Sequence, residues 1–105
     1  MALPPGHEFA KNGPDLTSEH LLQQAEEYRA AGRMEEAAGL YRIVWAKTGD
    51  TGVANNLAAA LLVLGKDKEA ADILSEALKR APDDMDLKFN LDFARRRLAE
   101  TDHDR

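Results

Sequence analysis

The sequence predicts an all-α fold of five helices stacked as antiparallel hairpins. The first observation behind it is an internal repeat. Ala25, Tyr28, Gly32, Ala37, Tyr41 and Val44 recur as Ala58, Leu61, Gly65, Ala70, Leu74 and Ala77, every pair 33 residues apart. The second is a glycine in mid-unit, Gly32 and Gly65, where a helical hairpin turns. The third is the spacing of apolar residues within each segment, which follows a helical rather than an alternating period. A fixed step of this size marks stacked hairpins rather than one globular core.

Residues 1–16 hold Pro4, Pro5, Gly6, Gly13 and Pro14 without apolar periodicity and are expected to form a flexible arm, from which Leu3 and Phe9 can still dock on the body. The first helix is expected after Thr17 as N-cap, with Glu19 in its first turn. Its apolar positions are Leu21, Leu22, Ala25, Tyr28 and Ala31, and Gly32 ends it. The second runs from about Met34 to Lys47, burying Ala37, Leu40, Tyr41, Val44 and Trp45, and Gly49 stops it. Gly39 lies inside this helix at a cost of roughly 1 kcal/mol relative to alanine, with close helix contact as one reason for it. The third covers about Gly52 to Leu64 and ends at Gly65. Asp67 is expected to cap the fourth, which carries Ala70, Ile73, Leu74, Ala77 and Leu78 before Pro82 forbids continuation. Asp83 or Asp84 caps a fifth from Met85 to about Glu100. The domain thus spans 17–101, with repeat one over about 18–50, repeat two over about 51–84, a last helix over about 85–100 and a frayed tail at 102–105.

These residues resemble tetratricopeptide repeats. The matching segments are Ala25-x-x-Tyr28-x-x-x-Gly32-Arg-Met-x-x-Ala37-x-x-x-Tyr41-x-x-Val44 and Leu57-Ala58-x-x-Leu61-x-x-x-Gly65, continuing through Ala70, Leu74 and Ala77 to Pro82. The resemblance covers residues 18 to 100 and implies a right-handed α-solenoid of helix hairpins. Ala25 would face Ala37, and Ala58 face Ala70, at positions where a larger side chain would push the helices apart. The first unit departs from the second at Gln24 (Leu57) and Gly49 (Pro82), and its step of 33 implies a tighter turn between repeats. Shifted by 34, the fifth helix matches the third at Asn90-Leu91, Ala94 and Leu98, but Ala58 and Leu61 become Asp92 and Arg95, joined by Lys88. Charge where a further helix would pack marks a terminal cap.

In the cap helix Leu87, Leu91, Ala94 and Leu98 form one stripe, while Phe89 and Phe93 fall roughly opposite at about 100° per residue. The resemblance places that side on a concave groove. The same positions in the earlier units are Asn55, Asn56, Ala59, Leu62 and Val63, then Leu22, Gln23 and Glu26. Such a surface takes an extended or helical peptide, with Asn56 and Asn90 bonding to its backbone. Arg97 is a candidate contact to an acidic partner. The competing readings are self-association through the same patch, packing of both phenylalanines against Leu62 and Val63, and cover by Phe9. A carboxylate clamp of the kind some family members use is not expected. Only Asn56 occupies a matching place; Leu22, Glu26, Asp86 and Asn90 hold the others, and an anion needs charge-assisted donors.

The chain has 105 residues, no cysteine and a formal net charge of −5. The charge disfavours nucleic acid and favours basic partners; the lone cluster Arg95-Arg96-Arg97 is short and suits the carboxyl end of a helix. Thiolate chemistry and disulfides are excluded. His7, His20 and His103 are isolated, so no metal site or cofactor is expected, and no carboxylate pair, phosphate loop or nucleophile motif points to catalysis. Trp45 reads as inter-repeat core rather than a ligand platform. No apolar run reaches the roughly 18–20 residues of a membrane span, and the amino terminus lacks the pattern of a signal peptide, which makes a cytoplasmic location the expectation. The function expected is a non-enzymatic adaptor or scaffold that binds a protein or peptide on its concave face. The alternatives are a homo-oligomeric assembly element and an accessory subunit of an enzyme complex.

Overall fold

The computed structural model describes residues 16–103, so residues 1–15 of the expected arm and 104–105 of the expected tail lie outside the described residues. Five helices follow one another: α1 (Leu16–Ala30), α2 (Met34–Thr48), α3 (Thr51–Val63), α4 (Asp67–Arg80) and α5 (Met85–His103). Each packs on the next, and α3 also touches α5 directly. No described residue is in a strand, and no described helix is long and apolar enough to cross a membrane.

The turns explain the repeat. At Gly32 (φ 80°) the Arg33 amide donates to the Tyr28 carbonyl at 2.8 Å and the Gly32 amide donates to the Arg29 carbonyl at 3.0 Å. At Gly65 (φ 80°) Lys66 and Gly65 repeat both bonds, to Leu61 and Leu62. This paired closure requires a left-handed residue, which glycine supplies without a Cβ clash. Between the hairpins the chain turns differently. Residues 49–50 join α2 to α3, with the Gly49 amide donating to the Trp45 carbonyl and the Asp50 amide to Thr48 Oγ1, whereas 81–84 join α4 to α5. The tighter first junction is the physical form of the shorter first step.

Ala25, Ala37, Ala58 and Ala70 are all fully buried, as are Tyr41, Leu57, Leu61 and Leu74. The cap stripe behaves the same way: Leu87, Leu91 and Ala94 are buried and Leu98 packs against the core, while Lys88, Asp92 and Arg95 face solvent. Trp45 is half-buried against the core, and the Arg80 guanidinium from α4 lies 5.8 Å over its ring.

Several boundaries and roles differ from the sequence-based expectation. Thr17 lies within α1, which has already begun at Leu16. Asp67 is the first residue of α4 rather than its cap; Lys66 holds the cap position and makes no side-chain cap bond. The fifth helix passes Glu100 and continues to His103, into the expected tail. Asp84, not Asp83, caps α5, its Oδ1 accepting from the Leu87 amide at 3.0 Å. Asp50 caps α3 by accepting from Gly52 and Val53, a role the sequence reading missed although an aspartate before Thr51-Gly52 is itself a cap signal. Around Gly39 a Cβ would meet nothing within 4 Å, so close helix contact does not account for this glycine.

Candidate functional site

The internal repeat generates a face as well as a core. Steps of 33 and then 34 carry Glu19 on α1 to Gly52 on α3 and Asp86 on α5; Leu22 to Asn55 and Phe89; and Glu26 to Ala59 and Phe93. Two cross-helix bonds fix α3 against α5 along this face. Asn90 Nδ2 donates to Asn55 Oδ1 at 2.7 Å, and an Arg97 Nη donates to the Leu62 carbonyl at 2.8 Å. Both pairs are 35 residues apart, so the two helices run parallel in one register.

The side chains expected to bind a partner fall into two groups. Phe89 (71% exposed), Val63 (67%) and Phe93 (41%) project from the body, as does the small Ala59. Exposure of this degree rules out Phe89 as a core residue packed against Leu62 and Val63. The second group is engaged. Leu62 is 7% exposed and belongs to the core, so it offers the face no apolar side chain. Asn55 and Asn90 are tied to each other by one bond. Arg97 makes a two-pronged pair with Asp67, at 2.6 and 3.1 Å, and its guanidinium stands 5.2 Å from the centre of the Phe93 ring. Its charge therefore serves the α4–α5 junction and orients the ring edge of the patch. Asn56 is half-buried and lines a neighbouring hollow.

That hollow, about 630 Å³ and open to solvent, lies between α1 and α3. Glu19, Leu22, Glu26, Asp50, Asn55 and Asn56 are among its walls. Glu26 is held in place from behind: the Tyr41 hydroxyl donates to its Oε2 at 2.5 Å, and Arg29 bonds both Glu26 and the Tyr41 oxygen. The Tyr41 hydroxyl, then Arg29, hold the Glu26 carboxyl below its usual range, so it is ionised at neutral pH. Burial first, and then the hydrogen bond to Glu26, push the Tyr41 hydroxyl up to about 12, so it remains a donor. Sequence reading placed Tyr41 in the core but missed this triad and the Asp67–Arg97 pair. The only local signal was charge on otherwise core-forming turns.

The face thus joins an aromatic edge on α5 to a small-residue strip on α3 and an acidic hollow beside α1. It supplies apolar area, amide groups and negative charge. A comparison with protein-family models finds no match to this chain, and a comparison with curated proteins finds none either.

Proposed function

We propose that the protein is a short tetratricopeptide-type interaction module, a right-handed solenoid of two hairpins and a capping helix. Its concave face holds a segment of another protein. The observation that carries this reading is the exposure of Phe89, Phe93 and Val63 on the one face that the repeat repeats, while Leu87, Leu91 and Ala94 of the cap are buried. An aromatic pair one helical turn apart adds nothing to the core when exposed, and burying it against a partner releases apolar area at roughly 25 cal/mol per Å². The second reading is a homo-oligomer built on the same patch, favoured by the exposure of Met85 one turn before Phe89. Service as an accessory subunit of an enzyme complex is a special case of the first.

Phe89→Asp combined with Phe93→Asp tests the reading by pull-down and light scattering. The folded double variant loses the partners recovered with the parent chain. Retention of every partner by a folded, monomeric variant contradicts the groove. A parent dimer that the substitutions dissociate promotes the homo-oligomer instead.

A further inference from the structure

The charges around the aromatic edge narrow the chemistry of what the face holds. Among the described residues Glu19, Asp50 and Asp86 enter no ion pair, and the cations that reach this face are paired: Arg29 with Glu26, Arg97 with Asp67, and Arg96, at the carboxyl-terminal end of the aromatic edge, with Asp92. Lys88 lies on the outward side of α5 with Asp92 and Arg95. Lys47, Lys79 and Arg80 end α2 and α4 at the same end of the bundle but belong to the other layer, and Arg80 lies over Gly49 and Trp45. The amino ends of α1, α3 and α5 contribute roughly half a positive charge each. Full negative charges at Glu19, Asp50, Asp84 and Asp86 exceed that, so this end of the face is net negative. The apolar side chains stand on α5 and the end of α3, whereas the acids stand at the amino-terminal ends; Gly52 and Ala59 keep the strip between them low.

We propose that the occupant is a protein segment pairing Lys or Arg side chains with large apolar ones, its cations meeting Glu19, Asp50 and Asp86 and its apolar groups covering Phe89 and Phe93. This rests on the groove reading above and adds its charge preference. A second copy of this chain is the weaker fit, because it would bring Asp86 and Glu19 against the same acids. Charge complementarity also sets the approach: a chain of net charge −5 steers a basic segment toward it before the apolar contacts form.

The test uses the full chain and three labelled peptides of equal length in fluorescence anisotropy at physiological salt. One is built from Leu-Lys-Lys-Leu units, the second replaces its Lys by Glu, and the third replaces its Leu by Ser. The Leu/Lys peptide is expected to bind about tenfold or more tighter than either relative, with Glu19→Lys plus Asp86→Lys costing about tenfold and Phe89→Ser plus Phe93→Ser at least as much. Circular dichroism confirms that each variant folds. If the Leu/Lys and Leu/Glu peptides bind equally and both are lost with the phenylalanines, the groove stands and the basic preference is overturned. If the phenylalanine variant binds the Leu/Lys peptide unchanged, the groove itself fails and only diffuse charge attraction remains. A concentration-dependent dimer that competes with the peptide assigns the face to a second copy. Binding gained only in a Leu3→Ser, Phe9→Ser variant assigns it to the chain's own amino-terminal segment. Either result overturns the proposal.

Discussion

Single residues in this chain show how position decides cost. Gly39 and Gly65 are chemically identical, yet a methyl group at Gly39 meets open space in a helix, and one at Gly65 (φ 80°) meets a left-handed backbone. Gly39→Ala is therefore expected to stabilise the fold by about 0.5–1 kcal/mol, and Gly65→Ala to destabilise it by about 1–2 kcal/mol. Denaturant unfolding measures both, and a loss at Gly39 as large as at Gly65 would contradict the turn geometry. Glu26 adds a pH dependence. Its carboxyl titrates lower in the fold than in the unfolded chain, so its stabilisation is complete above its ordinary value of 4.5 and is lost as pH falls through the lowered one. Solvent screens this half-exposed group, so the stability gap between the parent and Glu26→Gln at neutral pH is expected to be at most about 1 kcal/mol. The gap closes on acidification below that range; one that widens would reverse the assigned sign.

At the scale of elements, the cap helix depends on a contact that joins hairpin turn to helix end. Asp67 begins α4 and is nearly buried, and Arg97 grips it from α5 while also bonding the Leu62 carbonyl at the end of α3. Asp67→Ala leaves the half-buried guanidinium without its counter-charge and is expected to cost about 1–3 kcal/mol. Adding Arg97→Leu should recover part of that loss, since removing both charges is milder than removing one. A double variant less stable than the sum of the two single changes would contradict the pair. This contact also marks where sequence reading stops. The five helices, their glycine stops and the buried alanines were legible because each follows from neighbours three or four residues away. Asp67–Arg97, Asn55–Asn90 and Tyr41–Glu26 join residues 30, 35 and 15 apart, through a register that packing sets and local periodicity does not carry. Leu62 shows the same limit: its number in the repeat suits the groove, but the packing of α3 buries it and leaves Val63 outside. Phe89 and Phe93 were legible for the opposite reason, being large apolar residues that fit no stripe.

Across the whole molecule, two hairpins and one helix bury a continuous alanine- and leucine-rich seam, and Asp92 and Arg95 end it in solvent. A chain this short keeps few large apolar side chains to spare for its surface. It nevertheless leaves phenylalanines exposed beside an acidic hollow, and that placement is the basis for reading the face as a docking surface. The most direct measurement is a titration of the isotope-labelled full chain with the Leu/Lys peptide, followed residue by residue through its amide resonances. Saturable shifts concentrated at Glu19, Asn55, Ala59, Val63, Phe89 and Phe93 are expected. Shifts centred on Ile43 and Trp45 of α2, or none at all, would contradict the docking surface.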